Sequence, residues 1–115
     1  MAGGSSHFSK MKFTIEEFLA KLPLPATEKW KDGIWDVEPF TKSGVSLVFF
    51  APRGVDYQTS HDKDEFYFVV RGGGELVLND QRISCSIGDV LFVEADRGHH
   101  FENFTDDFAT WAVFF

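Results

Sequence analysis

The sequence predicts an all-β domain, a sandwich or barrel of short strands preceded by one short helix. Three observations predict it. Apolar runs rich in β-branched and aromatic residues alternate with Gly-, Pro- and Asn/Asp-containing turns at near-regular spacing, as in sheets that close on themselves. Fourteen phenylalanines, three tryptophans and two tyrosines favour pleated, half-buried surfaces. The length of 115 residues suits one domain, and no internal repeat or linker divides it.

Residues 1–12 are mostly small and polar and read as a flexible N-terminal tail that includes His7; the domain is expected over 13–115. Thr14-Ile15-Glu16-Glu17 fits a capping box, and Ile15, Phe18, Leu19 and Leu22 recur at helical spacing before Pro23 and Pro25 end the run. A helix of about two turns is expected over 14–22, with the barrel over about 30–115. Val45–Phe50 reads as a strand closed by Pro52-Arg53-Gly54, and Glu65–Val70 as another closed by Gly72-Gly73-Gly74. Glu75–Leu78 and Arg82–Ile87 flank Asn79-Asp80-Gln81 as a hairpin. Val90–Val93 follows Gly88-Asp89, and Thr110–Phe115 forms the last strand.

The formal charge of −7 and the lack of a Lys/Arg cluster argue against nucleic acid and anionic membranes as partners. No apolar stretch approaches the ~20 residues of a membrane span. The first residues lack the charged start and apolar core of a signal peptide, and Cys85 has no second cysteine to pair with. A cytoplasmic protein is the expectation, with Cys85 a small buried hydrophobe.

His61 and Glu65 are four apart, so on a strand both face one side, and His99 lies on a later segment able to meet them across a barrel. Two imidazoles and a carboxylate suit zinc, iron, nickel or manganese. The plainer alternative is a surface histidine in the polar loop Thr59–Asp64 and a Glu65 carboxylate in solvent at the strand's rim. Against it, a carboxylate heading the apolar run Phe66–Val70 is costly to bury unless it is paired or bound to a cation. Strand parity sends His100 to the opposite face from His99 unless a bulge shifts the register.

The spacing of these residues resembles the cupin family. Its first motif is a Gly, then a His-x-His pair, a Glu three or four residues on, six residues and a Gly; here Gly54 precedes Thr59-Ser60-His61-Asp62-Lys63-Asp64-Glu65, with six residues to Gly72. Its second motif is Gly, five residues, Pro-x-Gly, two residues, His, three residues, Asn; here Gly88 is followed by Glu94-Ala95-Asp96, His99 and Asn103 at those intervals. The resemblance spans Val45–Phe115 and implies a double-stranded jelly-roll barrel. It also implies a divalent metal held by His61, Glu65 and His99. Thr59 stands where the family's first histidine belongs, leaving a three-ligand site that water or Gln58 completes, or a site that has lost its metal. Glu94 and Asp96 replace the Pro and Gly of the second motif.

Strand parity extends the site. Tyr67 and Val69 share Glu65's face, Phe101 and Asn103 share His99's, and Trp111 is expected as a wall, giving an aromatic cavity for a small organic ligand. Arg53 and Gln58 are expected near its mouth. The alternative for each aromatic is that it simply fills the barrel. Three function classes remain open: a metal-dependent enzyme of dioxygenase, isomerase or decarboxylase type, a non-enzymatic sensor or carrier of a ligand or metal, and an interaction protein with a relic site. Phe66, Phe68 and Val70 form an outward apolar patch that calls for a cover, either the N-terminal helix or a second subunit, and a homodimer is the expectation.

Overall fold

The computed structural model describes residues 10–115; most of the expected tail, and His7 with it, lies outside the described residues. The first element, α1 (Ile15–Leu19), starts where the capping box predicts. The Thr14 hydroxyl accepts the Glu17 N–H at 3.3 Å and the Glu17 carboxylate accepts the Thr14 N–H at 2.8 Å. The helix is shorter than the expected 14–22. The N–H groups of Lys21 and Leu22 turn back to the carbonyls of Phe18 and Leu19 three residues earlier, tightening the chain ahead of Pro23, which disfavours helix at the residue before it.

Eight strands follow: β1 (Asp36–Lys42), β2 (Val45–Phe50), β3 (Glu65–Arg71), β4 (Gly73–Leu78), β5 (Gln81–Ser86), β6 (Val90–Val93), β7 (His99–Glu102) and β8 (Ala109–Phe114). They form two antiparallel sheets, ordered β1-β2-β8-β3-β6 and β5-β4-β7. The sequence pattern did not reveal β1, because Pro39 interrupts its alternation. Pro39 is tolerated because β1 is an edge strand and its register with β2 shifts between Val37 and Phe40, a bulge that absorbs the missing donor. The β4–β5 hairpin pairs Leu78 with Gln81 around Asn79-Asp80, with Asn79 at φ 54°.

The chain leaves the larger sheet for the smaller at Gly72. Its φ is 61°, and a Cβ there would lie 2.6 Å from Asp107 Oδ1 and 3.2 Å from Phe108 Cα, so only glycine fits. Inward residues of both sheets, among them Phe50, Tyr67, Leu76, Leu91, Phe101 and Phe108, make the main core. A second cluster lies on the outer face of the larger sheet, where α1 lays Phe18 against Phe49 and Trp111. Cys85 is buried, and burial pushes its thiol pKa up, as expected of a structural cysteine.

Candidate metal centre

Alternation along β3 carries the first donor inward. Glu65, Tyr67 and Val69 are buried, while Phe66 and Phe68 face out. His99 enters from β7, whose His99 and Phe101 are buried while His100 and Glu102 are half-buried. His100 turns away from the site, as parity predicts, with Nε2 2.6 Å from a Glu102 carboxylate oxygen. His61 arrives differently from the expectation. β3 begins at Glu65, so His61 belongs to the preceding loop and strand parity does not place it. That loop is pinned to the β6–β7 connection, where the His61 carbonyl accepts the Asp96 N–H and the Asp64 carboxylate accepts the Ala95 N–H. The His61 ring then stands edge-on to Phe114 and to His99, with centroids 4.9 and 5.3 Å away.

One donor atom from each of His61, Glu65 and His99 lies within 4.8 Å of the other two, the one such group among the described residues. His99 Nδ1 donates to the Arg97 carbonyl at 2.9 Å, which keeps a proton on that nitrogen and aims Nε2 into the site. Glu65 is 1% exposed. Its Oε1 lies 3.2 Å from His99 Nε2, an ion pair when that ring is protonated, and has no hydrogen-bond partner among the described residues. Opposite a neutral His99, a buried carboxylate oxygen in that state is costly. An ion between the carboxylate and the two imidazoles satisfies it, so the residues present fit a divalent metal.

Charges follow burial. Burial disfavours the His99 imidazolium, but Glu65 and the Arg97 carbonyl outweigh it and raise the His99 pKa above 6.5. For His61, burial prevails over the attraction of Glu65 and lowers the pKa. Tyr67 is fully enclosed, and burial together with the charges of Glu65 and Asp56 raises its pKa well above 10, so its hydroxyl is a neutral donor. It donates to Gln58 Oε1 at 3.0 Å and sits 3.1 Å from His99 Nε2.

A cavity of about 290 Å³ opens beside the triad, walled by Trp30, Asp36, Phe50, Gln58, Tyr67 and Phe114. Several expected members are elsewhere. Trp111 pairs with Phe68 in register and so lies on the outer face, 4.9 Å from Phe49 and under α1. Asn103 falls after β7 has ended, at φ 52°, exposed, its amide bonded to Glu75 at 2.7 Å. Arg53 is committed to the carbonyls of Ala51, Pro52 and Phe108 and stacks on Trp35. Phe101 packs beneath the site against Tyr67 and Phe108, whereas Thr59, exposed, does line the rim of the cavity as expected. Val70 is covered by the cluster around α1, whereas Phe66 and Phe68 remain exposed. Three residues were not foreseen. Trp30 and Asp36 come from a segment without apolar periodicity, and Asp56 is a buried carboxylate in an irregular loop.

The cupin domain family matches residues 46–115. This chain belongs to the cupin family. The family supports the jelly-roll reading of the two sheets, and the cupin domain holds all three members of the triad. An uncharacterized protein of Streptomyces coelicolor is 32% identical over 70 residues, covering 61% of this chain and 67% of its own. Among solved structures, a Cupin 2 conserved barrel domain protein from Salinispora arenicola superposes with a TM-score of 0.65 at 18% identity, covering 94% of this cupin and 89% of its own chain. A protein of unknown function from Rhizobium leguminosarum gives 0.71 at 13% identity, with coverage of 94% and 98%. At these identities the structural likenesses establish the fold. No helix among the described residues is long and apolar enough to cross a membrane.

Proposed function

We propose that this cupin binds a divalent metal through His61, Glu65 and His99 and takes a small organic ligand into the adjoining cavity. One observation carries the reading: the buried Glu65 carboxylate lies within 4.8 Å of an imidazole nitrogen from each of His61 and His99, and its Oε1 has no hydrogen-bond partner among the described residues. Zinc, iron, nickel and manganese all suit this donor set. A bound ion supplies Lewis acidity to a ligand oxygen. The chain's own residues hold the ligand: Trp30, Phe50 and Phe114 offer apolar walls, and the Tyr67 hydroxyl oxygen offers a polar point beside His99.

The test is elemental analysis of protein purified without a metal-affinity step, followed by titration with Zn²⁺, Ni²⁺, Mn²⁺ and Fe²⁺. Near-stoichiometric metal, lost in His61→Ala and His99→Ala, is the expected result. Protein that carries no metal and gains none overturns the reading.

A second reading, a carrier or sensor that binds without turnover, is favoured by Thr59 in the place of a family ligand. Ligand binding without conversion by the metal-loaded protein supports it, and turnover abolished by Glu65→Ala in a folded protein removes it. The reading also includes a homodimer. Phe66, Phe68, Val90, Phe92 and Phe115 leave 36 to 54% of their surface exposed on one side of the larger sheet, and Phe66 contacts both Phe92 and Phe115.

A further inference from the structure

Thr59 leaves one side of the triad without an imidazole, but that side has a donor. Gln58 turns its amide into the same space, with Oε1 3.4 Å from His61 Nε2. An N–H···O bond is centred near about 2.9–3.0 Å. Two donors each about 2.1 Å from a tetrahedral ion sit roughly 3.4 Å apart. At 3.4 Å the Gln58–His61 contact is a long hydrogen bond in the metal-free protein and also the spacing of two ligands of one ion. Oε1 accepts from the Tyr67 hydroxyl, and its second lone pair meets His61 Nε2 in a long contact that an ion replaces when it takes the place of that nitrogen's proton.

The amide is fixed by Asp56. This carboxylate is 6% exposed, and its Oδ2 accepts from Gln58 Nε2 at 2.5 Å and from the Phe101 N–H at 2.8 Å. Its Oδ1 accepts the Gln58 backbone N–H at 3.0 Å. A carboxylate only accepts, so the NH₂ end of Gln58 is committed to it and the carbonyl end must face His61. A flipped amide would set oxygen against oxygen. Phe101 lies two residues beyond His99 on β7, so Asp56 also ties the loop to the strand that carries the third donor.

Resting on the metal reading above, we propose that Gln58 Oε1 is the fourth donor of the centre and that Asp56 is the positioning residue that holds it there. The probe is Co²⁺ on the full chain, with affinity read by chelator competition and coordination read by the visible spectrum. Melting curves confirm that each variant is folded. Gln58→Leu and Asp56→Asn are each expected to weaken Co²⁺ by roughly 10–100-fold and to dim the visible bands as water replaces the amide oxygen. In the Gln58→Leu background, Asp56→Asn should add little, because its effect runs through the amide.

An unchanged affinity and spectrum in Gln58→Leu, with binding abolished by His61→Ala, overturns the fourth donor and leaves a three-ligand centre standing. An equal further loss from Asp56→Asn in the Gln58→Leu background overturns the positioning role. Wild-type protein that binds no Co²⁺ overturns this proposal together with the metal reading. Gln58 sits on a half-buried loop, so the Gln58→Leu arm stands whatever the stability of Asp56→Asn.

Discussion

His99 and His61 respond to protons in opposite ways, and the difference sets a pH dependence. The His99 pKa is raised in the fold, so its pairing with Glu65 stabilises the metal-free protein below the unfolded value near 6.5, and that contribution is lost as pH rises through the folded value. Metal needs the neutral ring, so the ion competes with that proton. The His61 pKa is lowered, so His61 is already neutral across the same window. Between the two values one proton leaves per ion bound, and the logarithm of the affinity should climb about one unit per pH unit. It should level off once His99 is neutral. Zn²⁺ titrations by calorimetry from pH 5.5 to 8.5, in buffers of different ionisation heat, read both the slope and the proton count; a flat profile would contradict the competition between the ion and the His99 proton.

At the scale of elements, α1 contributes to stability through what it covers. Phe18 is 2% exposed and meets the rings of Phe49 and Trp111, so Phe18→Ala should cost about 3–5 kcal/mol. Urea unfolding should show a lower midpoint at an unchanged slope; a loss under 1 kcal/mol would mean the helix is not docked. The turns make a second comparison. Gly54 and Gly72 both have positive φ, but a Cβ at Gly54 meets nothing within 4 Å whereas one at Gly72 meets Asp107 and Phe108. Gly54→Ala should cost only the conformational strain of about 1–2 kcal/mol, and Gly72→Ala clearly more. Equal losses by the same measurement would contradict the tight crossing between the sheets.

For the whole molecule, two couplings are expected. A metal that binds only the folded chain adds stability by mass action, about 4 kcal/mol at a thousandfold excess over Kd, so thermal melts should rise with Zn²⁺ and fall back with a chelator. The rise should vanish in His61→Ala. The aromatic face around Phe66 and Phe92 flanks β6, an edge strand of the larger sheet. Light scattering should give a dimer mass for the wild type and a monomer mass for Phe66→Glu/Phe92→Glu; a monomeric wild type removes the dimer.

The local pattern of residues by itself determined the capped helix start and most of the strands, because turn residues and period-two alternation are properties of neighbouring residues, and motif spacing named the triad as candidates. Strand β1 was illegible because Pro39 breaks the alternation and only pairing with β2 makes the edge strand visible. Trp111 was assigned to the wrong face because inward and outward parity on β8 depends on its register with β3, more than forty residues away. Asp56 left no trace for the same reason: its partner Phe101 is 45 residues on. The three metal-site candidates could be named from the chain alone. Whether they meet and which residues wall the cavity depend on contacts between distant segments, and those only the tertiary structure decided.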